Sequence, residues 1–121
     1  MSRAAAAYKR VDLESAPKHQ IVERLFDRFA SDLATARGAI HARDVKGKAA
    51  AIDHAILIVT ELRAALDHAT APELCANLDA LYAFVGDRLV DANMKMDVKA
   101  IDQAANIMSD LGDAFRQAHL K

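Results

Sequence analysis

An all-α fold, an antiparallel up-down four-helix bundle with a short N-terminal arm or helical turn, is predicted by three features of the sequence. The 121 residues include 27 alanines against four glycines and two prolines, a composition that favours helix. Apolar residues recur at helical spacing in stretches of about 20 residues, each long enough for a rod of about 30 Å. The breaks between these stretches are only a few residues long, and short connections make neighbouring helices antiparallel. No segment shows the sustained period-two alternation of strands, and glycine-bearing hairpin turns are absent. The length suits one domain that buries a core without disulfide or metal staples. The expected division is a mobile arm over 1–17 and a bundle over 18–121.

Each element has its own local signals. Residues 1–17 hold few large apolar groups beyond Tyr8, Val11 and Leu13, and an isolated turn this short is marginal in water. Pro17 is accepted at a helix start, and the first helix is expected from about Lys18 to Ala42. Ile21, Val22, Leu25, Phe26, Phe29, Leu33, Ala36 and Ile40 share one face of it, an arc of roughly 140°. Asp44 is a candidate N-cap for a second helix from about Val45 to Ala69. Pro72 and Glu73 suit the first turn of a third helix ending near Asn93. Asp97 is a candidate cap for a fourth, about Val98 to His119.

Apolar residues on two of these helices exceed a single stripe. The third helix has one core arc of about 100°, formed by Leu78, Leu81, Tyr82, Val85, Leu89 and Ala92, with Phe84 and Val90 on its shoulders. The second helix spreads Ile52, Ala55, Ile56, Ile58, Val59, Leu62, Ala65 and Leu66 over roughly 180°, and Leu57 lies near the opposite side. The fourth does the same with Ile101, Ala104, Ala105, Ile107, Met108, Leu111, Ala114, Phe115 and Ala118. Such a wide arc has two readings. The helices are central and touch two neighbours each, or part of the arc is a groove awaiting an amphipathic segment.

Other function classes lack their residues. Sixteen basic and 17 acidic side chains give a net charge of −1, which offers no general attraction for nucleic acid or an anionic membrane. The single cysteine, Cys75, excludes an intrachain disulfide and fits a reducing compartment. No secretory signal or run of about 18 apolar residues is present, so a cytosolic protein without membrane insertion is expected. No Glu is followed three residues later by His, as in di-iron bundles, and H-E-x-x-H, a phosphate-binding loop and a cysteine pair for zinc are missing. His54 and His68, 14 residues apart, are too distant to share a metal. Neither enzyme, metal nor cofactor is expected; a binding module is.

Two segments resemble a known family. S-A-P-K-H-Q-I-V-E-R-L-F-D and A-P-E-L-C-A-N-L-D-A-L-Y-A-F-V-G-D-R-L-V-D-A-N-M-K-M-D are similar to the bacterial flagellar export chaperones, the flagellin-specific FliS family. The first matches at His19, Gln20, Ile21, Leu25, Phe26 and Asp27. The second, more specific, matches at Asn77, Leu78, Leu81, Tyr82, Phe84, Val85, Arg88, Leu89, Ala92, Asn93 and Asp97. The likeness runs from Tyr8 to about Ala118. It departs from the family at Lys18, which is an extra residue, and at Arg28 and Phe29, which replace small ones. Ala71-Pro72 stands where a double glycine is usual, Asp87 where a basic residue is frequent, and Phe115 where tryptophan is common.

The resemblance implies a cytosolic chaperone that wraps the disordered C-terminal segment of flagellin along apolar grooves. It implies that binding prevents premature polymerisation and presents the subunit to the flagellar type III export apparatus. The arm, with Tyr8 in the matching position, is implied to cover the groove and dock at an export gate component. Combined with the helical wheels, this gives candidate groove residues Ile56, Leu57, Leu62 and Leu66 on the second helix, with Ile107, Leu111 and Phe115 on the fourth. The third-helix stripe is then scaffold, and Asn93 a helix terminator. The rival expectation is a structural bundle whose apolar strips meet in a homodimer without a client.

Overall fold

The computed structural model describes residues 16–120, with side chains described over 19–118. The expected arm and its Tyr8 lie outside the described residues, apart from residues 16 and 17, which begin the first helix. Four helices follow one another: α1 Ala16–His41, α2 Val45–Ala64, α3 Pro72–Lys95 and α4 Val98–Leu120. No strand occurs among the described residues.

Capping residues explain most of the boundaries. Gly47 N donates to Asp44 Oδ1 at 3.0 Å, so Asp44 caps α2 as expected. A Cβ at Gly47 would collide with the Asp44 carboxylate, so glycine is needed for this close approach. Lys99 N donates to Asp97 Oδ1 at 2.9 Å, which starts α4. α2 ends five residues earlier than expected because Asp67 competes for the backbone. Its carboxylate accepts from Ala69 N at 3.2 Å and from Thr70 Oγ1 at 2.5 Å, closing a local turn in place of another helical one.

α3 runs two residues beyond Asn93, and Met96 terminates it. Met96 adopts the left-handed conformation, with φ 54°, and its N–H bonds to Ala92 O. Asn93 serves a different purpose. Its carbonyl accepts a 2.6 Å hydrogen bond from the buried Lys48 Nζ, which clamps the start of α2 to the end of α3.

The helices form a ring in which α1 packs on α2, α2 on α3, α3 on α4 and α4 on α1. Consequently α2 and α4 lie across the bundle from one another. Polar side-chain contacts lace three of these seams: a His54–Asp32 hydrogen bond between α1 and α2, and ion pairs of Arg63 with Asp79 between α2 and α3 and of Arg37 with Asp102 and Arg116 with Asp27 between α1 and α4. Such exposed pairs contribute little individually and act mainly on alignment.

The core is continuous. Phe29, Leu33, Ile52, Leu62, Tyr82, Val85, Leu89, Ile101 and Phe115 are all nearly inaccessible. Most of the wide arc on α2 is therefore spent against its two neighbours. Two further departures from the wheel readings matter. Leu62, Leu66 and Phe115, expected on a groove, are buried in the core. Leu81, expected in the core arc of α3, is exposed.

α1 and α4 approach closely at Gly112, where a Cβ would lie 3.2 Å from the Phe26 ring. Phe26 is itself buried and sits 6.2 Å, centroid to centroid, from Phe115. The ring has little room to retreat. Gly112→Ala should therefore lose stability by on the order of 1 kcal/mol, overpacking outweighing the gain in helix propensity. Denaturant unfolding of the two proteins checks this.

Candidate functional site

The seam between α2 and α3 does not close. Ile56, Val59, Thr60 and Arg63 of α2 and Tyr82, Ala83, Gly86, Asp87 and Val90 of α3 line an open cleft of about 240 Å³. Buried Val59 and Tyr82 form its floor, and half-buried Ile56 and exposed Val90 stand on its walls. A side chain at Gly86 would meet nothing within 4 Å, so the cleft is open at that position. Thr60 Oγ1 donates to Ile56 O at 3.0 Å, which satisfies that hydroxyl within the helix. The cavity is smaller than the roughly 300–1,000 Å³ typical of small-molecule pockets. Its shape and lining suit apolar side chains carried on a peptide.

Arg63, part of the lining, pairs with Asp79 of α3. The guanidinium donates from Nε to Oδ1 at 2.8 Å and from Nη2 to Oδ2 at 3.1 Å. This hydrogen bonding holds the Asp79 carboxyl below its ordinary range and raises Arg63 above its own. Because the folded value of Asp79 is depressed, the pair stabilises the fold above the unfolded carboxylate value and ceases to as pH falls through the folded one. Both groups are partly exposed, so the effect is small. The stability difference between the parent chain and Asp79→Asn should be present at neutral pH and vanish well below about pH 4. Denaturant titrations across that range measure it.

The apolar surface continues around α3. Val90 is 48% exposed on the flank facing α2, and Phe84 is 45% exposed further round the helix, beside Leu81. On α4, Asp102, Gly112 and Arg116 face α1. Half-buried Ile107 and Leu111 lie on the other flank, towards α3. No ion pair between the two helices crosses this α3–α4 seam among the described residues.

The seven groove candidates are therefore dispersed. Ile56 is in the cleft, Ile107 and Leu111 lie on the α4 flank, and Leu57, 63% exposed, is on the outer side of α2. Leu62, Leu66 and Phe115 are enclosed. The wheel reading missed α3: Ala83, Gly86 and Val90 line the cleft, and Leu81 and Phe84 are bare on the other flank of that helix.

The other family-pattern residues have structural surroundings. Leu25 packs half-buried on the core, Asp27 pairs with Arg116, and Arg88 pairs with Asp91 at 2.8 Å and approaches Asp97 at 3.7 Å. Leu78, Tyr82 and Leu89 are buried, whereas Asn77 is exposed. Cys75 is fully buried, and burial pushes its thiol above the ordinary value, away from a reactive thiolate. No cluster of His, Cys, Asp and Glu able to hold a metal occurs among the described residues.

Comparison with known proteins decides the family. The family model described as "Flagellar protein FliS" matches residues 1–121. The chain belongs to the FliS family. The flagellar secretion chaperone FliS of Salmonella typhimurium (strain LT2) is 36% identical, covering 92% of this chain and 86% of the relative. FliS of Escherichia coli K12 is 32% identical over 98% and 91%, and FliSB of Pseudomonas aeruginosa is 33% identical over 90% of each. These relatives are named as flagellar secretion chaperones, and the FliS family is one of chaperones rather than enzymes. Among the described residues, no helix is long and apolar enough to cross a membrane.

Proposed function

We propose that this FliS-family chain is a cytosolic chaperone for flagellin. It holds the disordered C-terminal segment of flagellin on the apolar surface around α3, prevents premature polymerisation and delivers the subunit to the flagellar type III export apparatus. The observation that supports this most is the α2–α3 cleft, an apolar opening along the side of a bundle with a continuous buried core. The client cannot bury its own apolar side chains while monomeric, and the cleft gives them a surrogate interior. Covering a half-exposed residue such as Val90 or Phe84 contributes on the order of 1 kcal/mol before the ordering entropy of the client is subtracted. Affinity therefore comes from the length of surface covered, with Ile56, Ala83 and Val90 on one side of α3 and Leu81, Phe84, Ile107 and Leu111 on the other. Tyr8 is assigned to the export-gate contact by its place in the family pattern.

The test is calorimetry, with circular dichroism, of the chain mixed with the C-terminal segment of flagellin from the same organism. Saturable binding with a gain of helix is expected. A flat titration together with a concentration-dependent dimer in sedimentation would assign the same surface to a second copy of this chain.

A further inference from the structure

The bundle carries both of its tightest turns, 42–44 and 96–97, at one end, and the Lys48–Asn93 clamp fixes that end. Met94, 76% exposed, and Val45, 60% exposed, stand there as bare apolar side chains. Around them are the exposed cations Arg43, Lys46, Lys95 and Lys99, none of which forms an ion pair among the described residues. The nearby acids already have other partners, two of them at this same end. Asp44 and Asp97 cap α2 and α4, Asp91 pairs with Arg88, and Asp102 pairs with Arg37.

Three of these choices run against the folding preferences of the chain. Lys46 and Lys99 occupy the second positions of α2 and α4, at the positive ends of the helix dipoles, where acids stabilise and cations do not. Neither first turn contains an acidic residue. Arg43 has φ 56°, a left-handed conformation that glycine or asparagine adopts with less strain. The fold answers these conflicts only locally. Asp44 and Asp97 set a carboxylate at the N-caps of α2 and α4, and the left-handed Arg43 closes α1 through Arg43 N–Ile40 O and Asp44 N–Ala39 O bonds of 3.1 and 2.8 Å. The four cations themselves stay unpaired among the described residues.

We propose that this turn-bearing end docks an acidic amphipathic segment of a second protein. Its carboxylates face Arg43, Lys46, Lys95 and Lys99, and its apolar side chains cover Val45 and Met94. An anionic bilayer shares the charge but fits less well, because stable membrane anchoring needs more apolar insertion than two side chains give. The proposal does not rest on the flagellin reading, since the cleft residues take no part in it.

The probe is a synthetic amphipathic peptide with glutamates on one helical face and leucines on the other, titrated by fluorescence anisotropy at several salt concentrations. Binding should weaken as salt rises, and Lys46→Glu/Lys99→Glu should weaken it about tenfold or more. The same double substitution should raise the melting temperature, because it replaces cations by acids at two helix N-termini. Arg43→Gly should likewise weaken binding while relieving backbone strain. Binding of the flagellin segment, measured on the same variant, should change less than about twofold. The proposal is overturned if the peptide does not bind, binds the double variant as tightly, or is displaced competitively by the flagellin segment. Capture of phosphatidylglycerol vesicles in place of the peptide would also overturn it, assigning the surface to a membrane.

Discussion

Val90→Glu should weaken capture of the flagellin C-terminal segment by about tenfold or more while leaving the melting temperature of the free chain nearly unchanged. Val90 stands on the wall of the α2–α3 cleft and is about half exposed. In the free chain a glutamate there remains in water, so the fold loses only part of one apolar contact. Once a client covers the cleft, the carboxylate is taken out of water with Asp87, another acid, close by on the same wall. Desolvation and like-charge repulsion then act together against the complex and not against the free chaperone. Calorimetry reads the affinity and thermal unfolding reads the stability. Unchanged affinity would remove the cleft from the client surface. Leu57→Asp, on the outer side of α2, maps how far the client reaches: its stability should hold, because Leu57 is mostly in solvent.

Phe115→Ala should have the opposite signature, costing about 3–5 kcal/mol of unfolding free energy. Phe115 is almost fully buried, stacks on His19 with centroids 4.3 Å apart and ring planes 13° apart, and meets Phe26 at 6.2 Å. Deleting its ring leaves a cavity between α1 and α4 that the rigid neighbours fill only in part. Denaturant unfolding measures the loss. If stability were unchanged and only client binding suffered, Phe115 would return to the groove assigned by the wheel.

These two substitutions mark where the sequence was readable and where it was not. The starts of α2, α3 and α4 could be named from Asp44, Pro72 and Asp97, because capping chemistry is local. The end of α2 could not, because Asp67 acts through an unadvertised side-chain turn. Nor could the end of α3, where Met96 takes the left-handed position usually given to glycine or asparagine. The excess of apolar residues was visible, but its location was not. A helical wheel measures an arc and says nothing about which neighbours cover it. With α2 and α4 on opposite corners of the ring, their wide arcs are mostly filled by α1 and α3. The useful signal lay in Phe84 and Val90, large side chains off the core arc of a helix that otherwise looked like plain scaffold.

Gly86 shows what the open cleft means for anyone strengthening this protein. Alanine would fit at that position without a clash and favour the helix by about 1 kcal/mol. A designer optimising the empty rod would make that exchange first, and would thereby narrow the berth along its side. Heat resistance and carrying capacity pull in opposite directions at one methyl group.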